Sequence, residues 1–165
     1  MRRRDDAAFV RFVDDRSTQL LRMAYLLSGD HHLAEELVQE TLERLYVRWG
    51  RLREGQEMAY ARRVLTNLRT DRWRRVRHEV VTDRDALAEP TGTDRDVVAE
   101  RDLLLRALSA LADREREVVV LRYYCDQSEN SVAECLGISP GTVKSTGSRA
   151  LAKLRAQLDR PEVTQ

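Results

Sequence analysis

The chain has 165 residues, of which 42% are hydrophobic and 35% charged, with only 7 glycines and 3 prolines. This length fits one ordinary domain or two small ones, and so few turn residues argue against a β-sandwich or barrel. Two cysteines make neither a disulfide framework nor a four-ligand zinc site, no stretch approaches the roughly 18 apolar residues of a membrane span, and no secretory signal is visible. We therefore expect a protein of the cytoplasm.

The net charge of +1 conceals an uneven distribution of charged residues along the chain. Residues 59–77 contain seven arginines and one acid, residues 78–117 contain six arginines and eleven acids, and residues 138–158 contain four bases and no acid. Two basic segments separated by an acidic one predict two contacts with a single polyanion. The alternative explanation is a set of solvated helix faces on an ordinary charged surface.

Three helices are predicted in the N-terminal part of the chain. Apolar residues at helical spacing mark residues 8–27, a helix that could break at the two aspartates of 14–15. The sequence Ser-Gly-Asp at 28–30 combines a helix stop with an N-cap, and the most clearly amphipathic helix follows over 33–49. A third helix should run from about residue 58 to residue 77, with its arginines outward.

The middle of the chain differs in composition from both ends. Residues 78–93 show little apolar periodicity and several turn residues, which predicts a flexible acidic linker. Beyond it, the apolar run at 118–121 could be a buried strand, but its flanks favour a helix over 113–124. The predicted fold class is therefore all-α, with two small helical domains, 1–77 and 94–165, joined by that linker.

The C-terminal segment carries the caps of two consecutive helices. Ser128 and Gly137 bound a short helix, and Ser139 followed by Pro140 begins a longer one. The longer helix has an apolar face and an acid-free polar face, so the pair predicts a helix-turn-helix whose second helix suits the major groove of DNA. An ordinary helical hairpin is the alternative. Gly147 is unexpected in mid-helix, and it would permit close approach of another helix.

Aromatic and amide side chains lie among the arginines of the predicted third helix. Tyr60 and Trp73 could stack on exposed bases while guanidinium groups hold phosphate. Asn67 could hydrogen-bond the edge of an extruded base. The alternatives are a partly buried core position for Trp73 and an ordinary surface amide for Asn67.

Three motifs occur in a fixed order: HLAEELVQET at residues 32–41, AYARRVLTN at 59–67 and LGISPGTVKS at 136–145. Together they resemble the extracytoplasmic-function (group IV) sigma factors of bacterial RNA polymerase, in the sigma-70 family, and the similarity covers nearly the whole chain. The resemblance implies an initiation factor that binds core RNA polymerase, directs it to promoters, and recognises and melts promoter DNA. It implies that the chain itself performs no covalent chemistry.

The resemblance also assigns a role to each predicted helix face. The second helix should bind the β′ clamp helices of the polymerase through the polar candidates Glu36, Gln39, Glu40 and Glu43. The third helix should recognise and open the minus-ten element, with the candidates Tyr60, Arg63, Asn67, Asp71, Arg72, Arg74 and Arg75. The helix-turn-helix should read the minus-thirty-five element through Pro140, Gly141, Thr142, Lys144, Ser145, Ser148 and Arg149.

The implied partners are core RNA polymerase, through its β′ clamp helices and β flap, promoter DNA and an anti-sigma factor, with no membrane. Asn67 matches the family position that helps to hold a flipped non-template base. Two features depart from the family pattern, since Pro140 and Gly141 offer few side-chain donors and Gly147 stands where a bulkier residue is usual.

Two other functions fit parts of the sequence. A stand-alone helix-turn-helix regulator would bind DNA without polymerase, and it would not need the acid-bearing second helix as a docking surface. An enzyme would need a site, and His31, His32, Glu35 and Glu36 lie one turn apart as conceivable metal ligands. Acids also suit the first turn of a helix, and no third cluster completes a site. We therefore predict no catalytic residues, no metal and no cofactor.

Overall fold

The computed structural model describes residues 5–79 and 95–159, and within these ranges the regular structure is helical, with no strand. The prediction of an all-α protein is confirmed. The chain divides into two compact units, Met1–Leu87 and Ala88–Gln165. Most of the predicted linker, residues 80–93, lies outside the described residues, and its first two residues belong to the last turn of the third helix. None of the described helices is both long and apolar enough to cross a membrane.

Three helices build the N-terminal unit: α1 (Asp6–Ser28), α2 (His31–Arg48) and α3 (Glu57–Glu79). The turn between α1 and α2 forms as predicted, because Gly29 adopts a left-handed conformation with φ of 73° and the Asp30 carboxylate accepts a hydrogen bond from the Leu33 amide at 2.8 Å. A single 3₁₀ turn, Trp49–Arg51, follows α2.

Helix α1 does not break at Asp14 and Asp15. Both side chains are exposed on the solvent face of an uninterrupted helix, where two acids disturb neither the packing nor the backbone hydrogen bonds. The expectation of a break was wrong because low intrinsic helix propensity on a surface is overridden by the packing of the opposite face.

The core of the N-terminal unit comes from one face of each helix. Its buried apolar residues are Leu20, Met23, Ala24 and Leu27 of α1, Ala34, Leu37, Val38 and Leu45 of α2, and Ala61, Val64, Leu65 and Leu68 of α3. The buried hydroxyl of Thr41 donates to the Leu37 carbonyl at 2.7 Å, so this polar group is satisfied within α2. Burying the inward face of α3 turns Arg63, Arg74 and Arg75 outward. The prediction of outward arginines is wrong for Arg69, which is buried because it lies next to the core residue Leu68, one turn after Leu65.

Four helices build the C-terminal unit: α4 (Arg95–Ser109), α5 (Asp113–Val119), α6 (Glu129–Leu136) and α7 (Pro140–Leu158). A π-helical turn, Val120–Tyr124, continues α5. The apolar run at 118–121 is therefore helical, as predicted, and all four of its side chains are buried. Helix α7 packs against α4, α5 and α6.

Charged side chains of α5 connect this helix to the segment before it and to α7. Glu115 accepts hydrogen bonds from the Ala112 amide at 3.1 Å and from Lys153 Nζ at 2.8 Å. Arg116 Nε donates to the Leu108 carbonyl at 2.8 Å, and Arg114 pairs with the buried Glu117 at 3.0 Å. The hydrogen bond from Lys153 holds the pKa of the Glu115 carboxyl below its ordinary value.

Gly147 lies buried on α7 where that helix packs on α5. A Cβ atom at this position would lie 3.5 Å from Val118 Cγ1, which is an ordinary van der Waals distance. The helices do approach each other here, but their spacing does not require glycine.

Candidate nucleic-acid and partner interfaces

Helix α3 presents a polar stripe to solvent. Tyr60, Arg63, Asn67, Asp71 and Arg74 recur every three or four residues, so a helix places them on one side. Tyr60 is half-buried and the other four are exposed. Five of the seven residues predicted to contact the minus-ten element therefore share one accessible face, and the exposed Arg75 lies next to it in sequence.

Arg72, like Arg75, lies off this stripe, and unlike the exposed Arg75 it is half-buried. Its guanidinium is directed toward α2, where Nη1 lies 2.5 Å from Glu36 Oε2. The structure thus brings together a residue assigned to DNA and a residue assigned to polymerase, a contact that neither motif alone could indicate.

Trp73 is 43% exposed, so it is not a core residue. The Arg69 guanidinium, itself buried, lies 5.9 Å from the centre of the tryptophan ring. Thr66 and Thr70 donate their hydroxyls to carbonyls one turn earlier in α3, at 2.8 and 3.0 Å. The exposed indole remains available as a stacking surface, whereas the two threonine hydroxyls are already engaged.

The four polar candidates on α2 divide between two sides of the helix. Glu36 faces α3, and Glu40 pairs with Arg44 at 2.7 Å. Gln39 donates to Glu43 at 3.2 Å, and both line the other side.

That other side borders an apolar groove between α1 and α2 with a volume of about 650 Å³. Its apolar walls are formed by Phe9, Val13, Leu21, Val38, Leu42 and Tyr46. This groove was missed from the sequence, although the apolar residues Phe9, Val13 and Leu21 recur at helical spacing on one side of α1 and were a signal for it. An apolar floor rimmed by glutamate and glutamine suits a protein partner that carries apolar and basic side chains.

The histidines at the start of α2 have neighbours that explain their positions. The His31 ring stacks on Tyr25 with 4.0 Å between ring centres, and His32 Nδ1 lies 3.4 Å from Glu36 Oε1. In the part of the chain that the structure describes, no group of three or more histidine, cysteine, aspartate or glutamate side chains is arranged to hold a metal ion.

Capping interactions define where the two helices of the helix-turn-helix begin and where the first one ends. Ser128 accepts a hydrogen bond from the Ser131 amide at 3.1 Å, and Gly137 ends α6 in the left-handed conformation with φ of 66°. Ser139 then caps α7 by accepting from the Thr142 amide at 3.1 Å. These local interactions fix the turn between the two helices, as the sequence predicted.

Helix α7 has one buried face and one exposed face. Val143, Thr146, Ala150 and Leu154 are buried against the unit. All seven residues predicted for the minus-thirty-five element are exposed: Pro140, Gly141, Thr142, Lys144, Ser145, Ser148 and Arg149. The Thr142 hydroxyl is hydrogen-bonded to Ser139 at 2.8 Å, so Lys144 and Arg149 are the long donors of this face.

A polar cleft of about 290 Å³ adjoins the exposed face of α7. Arg122, Tyr123 and Glu129 line it together with Lys144 and Arg155. Sequence reasoning missed Arg122, which lies in the π-helical turn rather than in the helix-turn-helix motif. Its guanidinium lies 5.7 Å from the Tyr123 ring centre and donates to the Gln127 carbonyl, so it also braces the loop before α6.

Two family profiles match the chain, and each falls within one structural unit. The profile described as Sigma-70 region 2 matches residues 12–79, and the profile described as Sigma-70, region 4 matches residues 101–154.

Curated relatives extend this similarity over most of the chain. The RNA polymerase sigma-E factor of Streptomyces coelicolor is 40% identical over 151 residues, which cover 91% of this chain and 85% of that protein. The ECF RNA polymerase sigma factor SigL of Mycobacterium tuberculosis is 33% identical and is aligned over 97% of this chain and 94% of its own length. The solved structure of the sigma factor RpoE in complex with the anti-sigma factor NepR, from Bartonella quintana, matches with a TM-score of 0.78 and 26% identity, covering 93% of this chain and 99% of that one.

The chain belongs to the sigma-70 family of RNA polymerase sigma factors, and within it to the ECF sigma factors.

Proposed function

We propose that this sigma factor holds core RNA polymerase through its N-terminal unit and contacts promoter DNA through both units. The N-terminal domain, 1–77, docks on the β′ clamp helices and opens the minus-ten element, and the C-terminal domain, 94–165, reads the minus-thirty-five element. The observation that carries this proposal is the exposed face of α7, where all seven predicted contact residues are accessible and no acid occurs between residues 138 and 158.

The face of α7 has the chemistry of a DNA-reading surface. A capped helix with one exposed polar face can enter the major groove, where its early side chains approach base edges. Lys144 and Arg149 supply cationic donors, and the adjoining cleft adds Arg122 and Arg155 at positions suited to phosphate. We assign base reading to the first group and backbone contacts to the second.

The exposed stripe of α3 has the chemistry needed to hold separated strands. Asn67 lies at its centre with Arg63 and Arg74 on either side, and the accessible indole of Trp73 offers a stacking surface. Flipping a base out of the stack costs a few kcal/mol. Contacts to flipped bases can offset that free energy without ATP, so strand opening requires no covalent step by this chain. We propose that the sigma factor is not an enzyme.

The α2 surface is proposed to bind the polymerase. Its acidic residues and the apolar groove beside them offer charge and apolar area to one partner. Because the solved relative was captured with an anti-sigma factor, we extend that class of partner to this chain as a competitor of polymerase. We place the C-terminal unit near the β flap, and we place the protein in the cytoplasm, where the polymerase acts.

Pull-down with purified core polymerase tests the docking surface. Glu43→Arg should weaken core binding about ten-fold because it reverses a charge at the rim of the groove. Glu54→Arg, which reverses an exposed charge in the loop between α2 and α3 and lies outside the groove, is the matched control and should bind core polymerase normally. Equal binding by both variants would move the docking surface away from α2, and failure of the unmodified protein to bind core would contradict the proposed function.

A further inference from the structure

Arg72 and Glu36 belong to two different interfaces, yet they contact each other in the N-terminal unit. Arg72 Nη1 lies 2.5 Å from Glu36 Oε2, and His32 Nδ1 lies 3.4 Å from the second carboxylate oxygen of Glu36. The side chains of Arg72 and Glu36 are 42% and 44% exposed, so DNA or a partner protein can reach both. One ion pair therefore connects the proposed polymerase surface to the proposed DNA surface.

The neighbouring acids of α2 do not make this connection. Glu40 pairs with Arg44, and Glu43 accepts a hydrogen bond from Gln39, so both interactions stay within α2. Glu35 lines the groove on the side of α1. Among these acids, Glu36 is the one that opposes the positive charge of Arg72 on α3. This ion pair forms because α2 packs against α3.

We propose that this ion pair masks Arg72 in the free protein and that polymerase docking releases it. A carboxylate beside the guanidinium reduces its attraction for phosphate, because the two anions compete for the same cation. A basic side chain of the polymerase that engages Glu36 would end that competition. The inference rests on the proposed function, since it assigns Glu36 to the polymerase and Arg72 to DNA.

The size of the effect is bounded by the strength of an exposed ion pair. Such pairs contribute little in water, which limits the gain in DNA affinity on unmasking to about two- to five-fold. The pair therefore tunes DNA binding and does not act as an all-or-none switch. Because coupling between two binding events is reciprocal, DNA should strengthen polymerase binding by the same factor.

The masking step is tested on the full-length free protein. Its affinity for a fluorescein-labelled, random-sequence single-stranded oligonucleotide is measured by fluorescence anisotropy at low salt. Glu36→Gln should tighten binding about two- to five-fold more than Glu35→Gln, which removes the same charge from the adjacent position. Glu36→Asp keeps the charge but shortens the side chain, and it should also tighten binding. Circular dichroism checks that each variant is folded.

A double-mutant cycle assigns the effect to Arg72. In an Arg72→Gln background, Glu36→Gln should change oligonucleotide affinity no more than Glu35→Gln does. If Glu36→Gln retained its full extra effect without Arg72, or if the two glutamate variants behaved alike in the unmodified background, the masking contact would be refuted.

The release step is tested by the affinity of the sigma factor for core polymerase with and without saturating oligonucleotide. The oligonucleotide should strengthen core binding of the unmodified protein about two- to five-fold more than that of the Arg72→Gln variant. Equal strengthening would overturn the release step. Failure of the unmodified protein to bind core polymerase at all would overturn the proposed function instead, so the two failures are distinguishable.

Discussion

Lys153 of α7 reaches back to Glu115 of α5, and its Nζ atom lies 2.8 and 2.9 Å from the two carboxylate oxygens. Glu115 is buried and also accepts from the backbone amide of Ala112, so one carboxylate joins the start of α5 to the helix that is proposed to read DNA. The packing of this helix on α5 therefore includes an ion pair at Lys153, which the helical period of about 3.6 residues places on the opposite side of α7 from Lys144.

Glu115→Gln should destabilise the C-terminal unit by about 1–2 kcal/mol, because it removes a charge-assisted hydrogen bond at a site that is partly screened on the lysine side. Urea denaturation followed by circular dichroism measures the loss. Glu134→Gln, on the exposed side of α6, is the control and should leave stability within experimental scatter. Equal stability of both variants would show that the ion pair contributes nothing.

The Glu115 carboxylate also makes the stability difference between the unmodified protein and Glu115→Gln depend on pH. The pKa of Glu115 is lower in the folded protein than its ordinary value of 4.5. A lowered folded pKa means that the stabilisation is fully present above the unfolded pKa and is lost as pH falls through the folded pKa. The stability difference between the unmodified protein and Glu115→Gln should therefore be constant near neutral pH and shrink in acid. A difference that grew as pH fell below 4.5 would contradict the assignment.

Gly147→Ala should stabilise the C-terminal unit by up to about 1 kcal/mol. Alanine has the higher helix propensity, and its methyl group would make an ordinary contact with Val118. Thermal unfolding of the two proteins measures the change. Gly137→Ala should have the opposite effect, because Gly137 has a positive φ that alanine adopts with strain. A lower melting temperature for Gly147→Ala would show that the α5 and α7 contact is tighter than described.

Lys144→Ala should weaken promoter-directed transcription by an amount equivalent to about 1–3 kcal/mol while leaving polymerase binding unchanged. The exposed ammonium of Lys144 is a donor on the α7 face that is proposed to contact DNA. Transcription and pull-down with core polymerase measure the two effects. Arg106→Ala removes one positive charge from an exposed position on α4 and is the control. Loss of polymerase binding by Lys144→Ala would contradict the assignment of α7 to DNA.

Asn67→Ala should reduce open-complex formation about ten-fold and affect initial capture of the promoter much less, because a hydrogen bond to a flipped base forms only after melting. Permanganate footprinting of unpaired thymines measures opening, and gel-shift competition measures capture. Gln56→Ala, an exposed amide just before α3, is the control and should open promoters normally. Unchanged footprints for Asn67→Ala would show that Asn67 does not contribute to promoter opening.

Local chemistry accounts for the features that the sequence predicted well. The caps at Asp30, Ser128 and Ser139 and the left-handed Gly137 depend on residues within four positions of each other, so the boundaries of α2, α6 and α7 can be read from the chain. The exposure of the predicted residues on α7 follows from its apolar period, because burying one face necessarily turns the other outward.

Non-local contacts account for what could not be predicted. Glu115 and Lys153 are 38 positions apart, and Arg72 meets Glu36 across two helices, so only the packing brings each pair together. The groove between α1 and α2 and the cleft around Arg122 arise in the same way, since each needs residues from more than one element. The helical motifs predicted which faces are polar, but they did not predict which of those polar residues contact one another.

Reconstituted transcription from a promoter library with randomised upstream sequence, followed by sequencing of the transcribed templates, tests the central claim most directly. With core polymerase and this sigma factor, we expect enrichment of two short elements at a fixed spacing, one of which changes when Lys144 is substituted. Transcription without any enriched element, or enrichment of a single element by the free protein without polymerase, would contradict the account.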